Sequence, residues 1–249
     1  MNFRLFLAVA LTLACAPAAA AETTLRFHGY AYDLDTRQYL YTEVHEQVVD
    51  GNRWLRGTMT YVLPDGSLLG KKTLDFTGDP FVPAYRLELL KEGYAEGVSG
   101  KPGDLTLFRR EPGQGPAQTR YTGRPDLMTA DSGLHALLRE HFAELMAGQE
   151  LKFRLVVSGS LDVFRFRAAK AGEATFEGRP AVVIRVEPDS LLSWLSSPID
   201  LTYEPELRKL VEYKGISNIR DPRTHKAYNV HIYYYSKPPP DAPRLPAGY

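Results

Sequence analysis

The chain has 249 residues, with 30 basic and 30 acidic side chains, so its formal net charge at pH 7 is zero. This balance argues against nucleic acid or another strongly anionic polymer as the main partner. A single cysteine excludes a disulfide within the chain, and 15 Tyr and 11 Phe residues favour β-strands.

The first 21 residues have the layout of a secretory signal peptide. A positive start that includes Arg4 precedes the unbroken apolar run Leu5–Ala14, and small residues follow up to Ala21. We predict cleavage near Ala21 and a periplasmic location. Cys15, preceded by Thr12-Leu13-Ala14, leaves open a lipid anchor on its thiol. Because no apolar run reaches the roughly 20 residues of a membrane helix, we do not predict an integral membrane protein.

Residues 22–236 are predicted to form one mostly β domain. Apolar and polar residues alternate with a period of two from Thr24 to Tyr32 and from Gln38 to Val49, and Asp50-Gly51 then indicates a hairpin turn. Similar segments bring the total to about twelve strands. We predict a single curved antiparallel sheet, an open half-barrel, with one wet face. Two small β domains divided near residues 110–126 are the alternative.

One main α-helix is predicted from about Ser132 to Ala147, and the sheet is expected to wrap around it. Asp131 or Ser132 can cap its start, and Gly148 its end. Its apolar stripe consists of Leu134, Leu137, Leu138, Phe142, Leu145 and Met146. A second, short helix is predicted from Ser190 to Leu195.

The first predicted hairpin carries the densest group of functional side chains. If its turn centres on Asp35, the cross-strand pairs are Arg26–His45, His28–Glu43, Tyr30–Tyr41 and Tyr32–Tyr39, all on one face. His28, Glu43 and His45 would then lie close enough to ligate zinc or to support acid–base catalysis. A solvated ladder of aromatic and charged pairs is the alternative interpretation.

Compact catalytic motifs are absent from the sequence. There is no G-x-S-x-G elbow, no P-loop and no dinucleotide-binding G-x-G-x-x-G, and the only cysteine lies in the predicted signal peptide. The sequence therefore disfavours a serine, cysteine or nucleotide-dependent enzyme, and we predict no cofactor. Basic residues of the last predicted hairpins could meet lipid phosphates or an anionic envelope polymer, although acidic residues interrupt them; they are Arg208, Lys209, Lys214, Arg220, Arg223 and Lys226.

The C-terminal strands carry a distinctive set of residues, namely Leu201-x-Tyr203, Leu210, Tyr213–Asn218 and the strand Val230–Ile232. In these residues the chain resembles uncharacterised bacterial periplasmic proteins of unknown function. Those proteins are distantly similar in layout to lipoprotein-sorting carriers, whose open β half-barrel wraps helices and shelters acyl chains. The resemblance implies a sheltered concave face, although this chain has fewer predicted helices than the carriers use.

We therefore expect a non-enzymatic envelope protein that binds a lipidic or apolar component, such as a lipid or a lipoprotein acyl chain. The candidate contacts are Leu134, Leu138, Phe142, Leu145, Leu191, Trp194 and Leu195. Two other functions stay open: a metal- or carboxylate-dependent enzyme built on the first hairpin, and a scaffold that docks a partner through its Pro-rich tail, residues 237–249. The concave face could be an open groove or a filled core.

Overall fold

A computed structural model describes residues 22–189 and 198–245, and most of them lie in one sheet of 15 strands. The predicted curved sheet is confirmed, with more strands than the predicted twelve or so. The additional strands include β8 and β9, two short strands at the edges of the sheet. β8 was not predicted because the sequence around it is rich in Gly and Pro, which is typical of loops. Its side chains are also mostly exposed, so they show no alternation of apolar and polar residues.

The strands and helices have the following bounds. The first eight strands are β1 Thr23–Asp33, β2 Tyr39–Asp50, β3 Arg53–Val62, β4 Leu68–Asp75, β5 Ala84–Leu89, β6 Tyr94–Lys101, β7 Asp104–Arg110 and β8 Ala117–Tyr121. The remaining elements are β9 Met128–Ala130, α1 Gly133–Glu140, α2 Phe142–Met146, β10 Leu151–Val157, a 3₁₀ turn Ser158–Ser160, β11 Asp162–Phe176, β12 Arg179–Pro188, β13 Ile199–Glu204, β14 Lys209–Arg220 and β15 Ala227–Tyr233.

The sheet is built from two meanders that meet at the two ends of the chain. β1 to β8 follow one another across one half, and β9 to β15 follow one another across the other half. β1 pairs with β15 through Tyr30 opposite Tyr233 and Asp33 opposite Val230, and this pairing joins the halves. All neighbouring strands are antiparallel except β9 and β10, which are parallel. The first and last strands of the chain therefore lie at the centre of the sheet.

The predicted helix 132–147 is wrong as a single element, because the chain forms two short helices instead. α1 ends at Glu140, His141 leaves helical geometry with φ −91° and ψ 20°, and α2 follows. Near this break, the Arg208 guanidinium donates a hydrogen bond to the carbonyl oxygen of Arg139 at 3.0 Å. The predicted cap Gly148 does adopt a left-handed conformation, with φ +81°.

The two helices pack against the concave face of β10 to β13. Leu137, Leu138 and Leu145 are fully buried there, against side chains such as Phe153 and Ile184. A separate apolar core covers the concave face of β1 to β7 and also includes residues of β9, β10, β14 and β15. The concave side thus holds two cores, and the helices occupy only one half of it.

The β9–β10 edge of the sheet folds back onto the other half. The Ala130 amide and the Thr129 hydroxyl both donate to the carbonyl oxygen of Phe81 at 3.0 Å. The Arg109 side chain of β7 donates to the carbonyl oxygen of Gly159 in the 3₁₀ turn at 2.6 Å. A few backbone and side-chain hydrogen bonds, rather than a continuous strand pairing, therefore hold this edge against the other half of the sheet.

The Pro-rich tail contacts the convex face of the sheet as far as the structure follows it. The Tyr32 hydroxyl donates to Asp241 Oδ1 at 2.7 Å. The predicted short helix 190–195 and the predicted signal peptide lie outside the described residues. Within the parts of the chain that the structure describes, no helix is long and apolar enough to cross a membrane.

Candidate functional site

The concave side of the sheet contains a cavity of about 1440 Å³. Pockets for small molecules usually measure about 300–1,000 Å³, so this cavity can accommodate a larger ligand. Its apolar lining includes Phe27, Met59, Leu155, Phe166, Leu201 and Leu210. The concave face is therefore an open cavity, and not the filled core that the sequence left as an alternative.

Exposed apolar side chains are concentrated at this cavity. In residues 22–189 and 198–245, five large hydrophobic side chains are exposed, namely Leu25, Leu90, Phe164, Leu207 and Ile216. All of them except Leu90 line the cavity. An apolar patch that stays in contact with water on a protein surface marks a binding site for an apolar ligand or partner.

The cavity extends along the strands. Leu25 lies at the start of β1, and Arg220 lies at the end of β14, and both line the cavity. Arg220 pairs with Ala227 at the start of β15, which lies beyond Asp33 at the far end of β1. Because the lining reaches opposite ends of the strands, the cavity suits an elongated ligand.

A buried ion pair lies in the wall of the cavity. The Lys72 ammonium contacts Asp131 Oδ2 at 2.6 Å, and both side chains are only 6% exposed. Ser132 donates its amide and its hydroxyl to Oδ1, and Asn218 donates its side-chain amide to Oδ2 at 3.0 Å. Burial acts to raise the pKa of Asp131, but Lys72 and these hydrogen bonds outweigh burial and hold that pKa below its ordinary value.

Glu96 extends this polar cluster. Its carboxylate accepts a hydrogen bond from the Tyr94 hydroxyl at 2.6 Å and from the Asn218 amide at 3.3 Å. Asn218 therefore bridges Glu96 and Asp131. Burial raises the pKa of Glu96, because the ionised form has lost most of its water. The wall of the cavity thus combines one carboxyl group with a lowered pKa, Asp131, and another with a raised pKa, Glu96.

The predicted pairing of the first hairpin is wrong by one residue along most of its length. Arg26 lies opposite Glu46, His28 opposite Val44, and Tyr30 opposite Thr42, while Tyr32 lies opposite Tyr39 as predicted. A bulge between Ala31 and Tyr32 shifts the register, and Arg37 takes a left-handed conformation in the turn. A bulge moves side chains to the other face of the sheet, so the predicted eight-residue face does not form.

Glu43 and His45 contact each other in the cavity, whereas His28 also lines the cavity but forms no hydrogen bond with either of them. His45 Nε2 lies 2.9 Å from Glu43 Oε2, which also accepts a hydrogen bond from the Tyr234 hydroxyl at 3.2 Å. The Phe27 ring stacks on the His45 ring, with 4.4 Å between the ring centres. Because successive side chains of a strand point to opposite faces, His28 lies on the opposite face of β1 from Phe27. No group of three or more metal-binding side chains forms in the described part of the chain.

Of the side chains predicted to bind a ligand, Leu134 lines the cavity. Leu138, Phe142 and Leu145 do not line it, because they are buried between the helices and the sheet. These side chains form the helix stripe, and the stripe packs onto β10 to β13. Leu191, Trp194 and Leu195 lie outside the described residues.

The sequence interpretation missed the buried polar cluster of Lys72, Glu96, Asp131 and Asn218. A signal was present in two strands. Lys72 lies on the same face of β4 as the buried residues Gly70 and Leu74. Glu96 likewise lies on the same face of β6 as the buried residues Tyr94 and Val98. A charged residue on the buried face of a strand needs a partner, and this requirement could have drawn attention to both positions.

Comparisons with known proteins give the chain no family. No protein-family model matches it, and no curated protein is similar to it in sequence. A crystal structure of a β-barrel-like protein of the domain of unknown function DUF1849 from Brucella abortus matches with a TM-score of 0.41 and 9% sequence identity. The match covers 84% of this chain and 95% of that protein.

Proposed function

We propose that this protein is an exported binding protein whose cavity holds the apolar part of a cell-envelope lipid or of a lipoprotein acyl chain. The observation that carries the proposal is the elongated cavity of about 1440 Å³ with exposed Leu25, Phe164, Leu207 and Ile216 along it. The signal-peptide layout of residues 1–21 supports the proposed location in the periplasm.

The energetics of such a complex are favourable. Each methylene group that leaves water contributes about 0.8 kcal/mol, so ten buried methylenes contribute about 8 kcal/mol before the costs of association. A net binding free energy of about −8 kcal/mol corresponds to a dissociation constant of about 1 μM, so a chain of ten methylenes binds more weakly than this once the costs of association are included. An acyl chain is flexible and unbranched, and it can follow a cavity that runs along the strands.

Binding can be tested with a fluorescent acyl probe and with native mass spectrometry of protein purified from the periplasm. We expect one saturable probe site and a co-purifying lipid mass. The double variant Phe164→Gln/Ile216→Gln removes two apolar contacts and should weaken probe binding about a hundredfold or more, because each large apolar side chain contributes about 1.5–3 kcal/mol when it is fully covered.

Leu90→Gln is the matched control, since Leu90 is an exposed apolar residue away from the cavity. It should leave the affinity for the probe unchanged. Failure of the wild-type protein to bind any acyl probe would refute the proposed function. An equal loss of affinity in the control variant would refute the assignment of the cavity as the binding site.

Export is tested separately by cell fractionation and by the mass of the purified protein. We expect a periplasmic species that begins at Glu22. A lipid anchor would instead give a heavier, membrane-bound species that the Cys15→Ser variant abolishes. A cytoplasmic protein that retains residues 1–21 would contradict the proposed location.

A further inference from the structure

Two arginine side chains face each other directly at the cavity and have no counter-ion among residues 22–189 and 198–245. Arg154 of β10 and Arg165 of β11 are cross-strand partners, and both line the cavity. Neither forms an ion pair or a side-chain hydrogen bond with any residue in the described ranges. Side chains at directly opposed positions lie close, with Cβ atoms about 4.5–5.5 Å apart, and two like charges there destabilise the sheet.

Three more cationic side chains of the cavity lining also lack a carboxylate partner among the described residues. They are Arg139, Arg208 and Lys209. Arg208 donates only to the backbone carbonyl oxygen of Arg139, and its guanidinium lies 5.8 Å from the centre of the Phe142 ring. Arg139 keeps a buried Nε atom without a hydrogen-bond partner in this part of the structure.

The acidic side chains of the lining, by contrast, all have partners. Glu43 contacts His45, Asp131 contacts Lys72, and Glu96 accepts hydrogen bonds from Tyr94 and Asn218. Glu111 forms ion pairs with Arg109 and Arg220, and Asp189 lies 3.7 Å from Lys152. Seven lysine and arginine side chains but only five carboxylates line the cavity, so its formal charge is positive, although the chain as a whole is neutral.

We propose that the ligand is an anionic amphiphile whose carboxylate or phosphate group binds between Arg154 and Arg165 while its apolar part occupies the cavity. This inference rests on the proposed function and adds the chemical class of the ligand. Guanidinium groups bind carboxylate and phosphate oxygens in a bidentate geometry, and one anion between two of them removes their mutual repulsion. Val156 and Val163, the next directly opposed pair on the same face of the hairpin, place apolar surface beside the charged pair.

The test compares amphiphiles of equal chain length and different charge by calorimetry. The probes are dodecanoate, dodecyl phosphate, dodecyl maltoside and dodecyltrimethylammonium, each below its micellar concentration. We expect at least one anionic probe to bind about tenfold tighter than the neutral maltoside, as charge-assisted hydrogen bonds allow. This preference should weaken at high ionic strength. The two anionic probes distinguish a carboxylate from a phosphate head group.

The double variant Arg154→Gln/Arg165→Gln should lose the anionic preference and retain its affinity for the maltoside. Arg53→Gln/Arg179→Gln is the matched control, because it removes two exposed arginines that lie outside the cavity. It should behave like the wild-type protein. If the double variant does not fold, Arg165→Gln alone suffices, since Arg165 is exposed.

The outcomes separate the two proposals. This inference would be overturned if the wild-type protein bound anionic and neutral probes with equal affinity. It would also be overturned if the anionic preference survived in Arg154→Gln/Arg165→Gln. Either result would leave the proposed function intact. Failure to bind amphiphiles of any charge would overturn the proposed function itself.

Discussion

Lys72 and Asp131 form an ion pair that is almost completely removed from water. Two charges in such a position lose their hydration, and only close contact and further hydrogen bonds compensate for that loss. Ser132 and Asn218 supply these hydrogen bonds to Asp131. The pair ties β4 to the segment that leads into α1, so it positions the helices over their half of the sheet.

A double-mutant cycle tests this pair. Lys72→Met should lower the free energy of unfolding by about 3–5 kcal/mol, because it leaves the Asp131 carboxylate buried without its counter-charge. Lys72→Met/Asp131→Leu should recover most of that loss, since both charges are then absent. The measurement is urea denaturation at pH 7. A double variant that is as unstable as the sum of both single variants would contradict the argument.

His135 is expected to make the stability of the protein depend on pH. Its ring stacks on the Tyr203 ring, with 5.6 Å between the ring centres. Burial lowers the pKa of His135 from its ordinary 6.5 to about 3, and the nearby charge of Arg139 contributes a smaller part of this shift. Between these values the unfolded chain binds a proton that the folded protein does not bind. Stability therefore rises with pH from about 3 to 6.5 and is fully present above 6.5.

The variant His135→Gln should reduce this dependence by up to about 1.4 kcal/mol per pH unit, the contribution of one proton. The free energy of unfolding is measured between pH 4 and pH 7. Tyr203→Phe is the control, because it removes the hydroxyl near His135 and keeps the aromatic ring that buries it. It should retain the slope. An unchanged slope in His135→Gln would show that the imidazole does not titrate as expected.

At the scale of single elements, α1 begins in very close contact with the loop between β4 and β5. A Cβ atom on Gly133 would lie 1.9 Å from the carbonyl oxygen of Phe81 and 2.8 Å from Pro83. The same carbonyl accepts hydrogen bonds from Thr129 and Ala130 of β9. Gly133 therefore allows the helix and the edge strand to share one attachment point.

We expect Gly133→Ala to destabilise the protein by about 1–3 kcal/mol or more, since the loop backbone must move to accept the methyl group. Thermal unfolding measures the change. Gly172→Ala is the matched control, because nothing lies within 4 Å of the added methyl group in β11. Equal melting temperatures of the two variants would argue against this close contact.

The elements differ in how well their sequence predicts them. The alternation in Gln38–Val49 and in the neighbouring strands reproduces β1 to β4 within one or two residues, because each strand buries one face. The register of β1 and β2 was not predictable, since it depends on a bulge and on a residue with positive φ in the turn. β9 was not predicted because it has only three residues, and its Ala130 amide is hydrogen-bonded to the carbonyl oxygen of Phe81, which is distant in the sequence.

At the scale of the whole molecule, two meanders joined through β1 and β15 enclose the cavity, and a few side-chain contacts hold the free edge. The Arg109–Gly159 hydrogen bond is one of these contacts. Such a contact contributes locally, because the strands on either side of it are stabilised by their own neighbours.

Arg109→Gln should accelerate hydrogen exchange of the amides at residues 158–160 about tenfold or more, since a hydrogen bond from a charged group contributes about 1.5–3 kcal/mol. Amides of β1 and β15 should exchange at the wild-type rate. Arg110→Gln is the control, because Arg110 donates to Gly93 within the same half of the sheet. Faster exchange throughout the sheet would indicate global destabilisation rather than local opening.

The sequence by itself determined the fold class, the approximate strand bounds and the region of the helices, because these depend on the periodicity of nearby residues. Tertiary structure alone decided the strand register, the division of the helix and the open cavity. It also decided which charges are paired. Lys72 and Asp131 are 59 residues apart and become neighbours only after the sheet has folded, so the alternation marks Lys72 as a buried charge but cannot identify its partner.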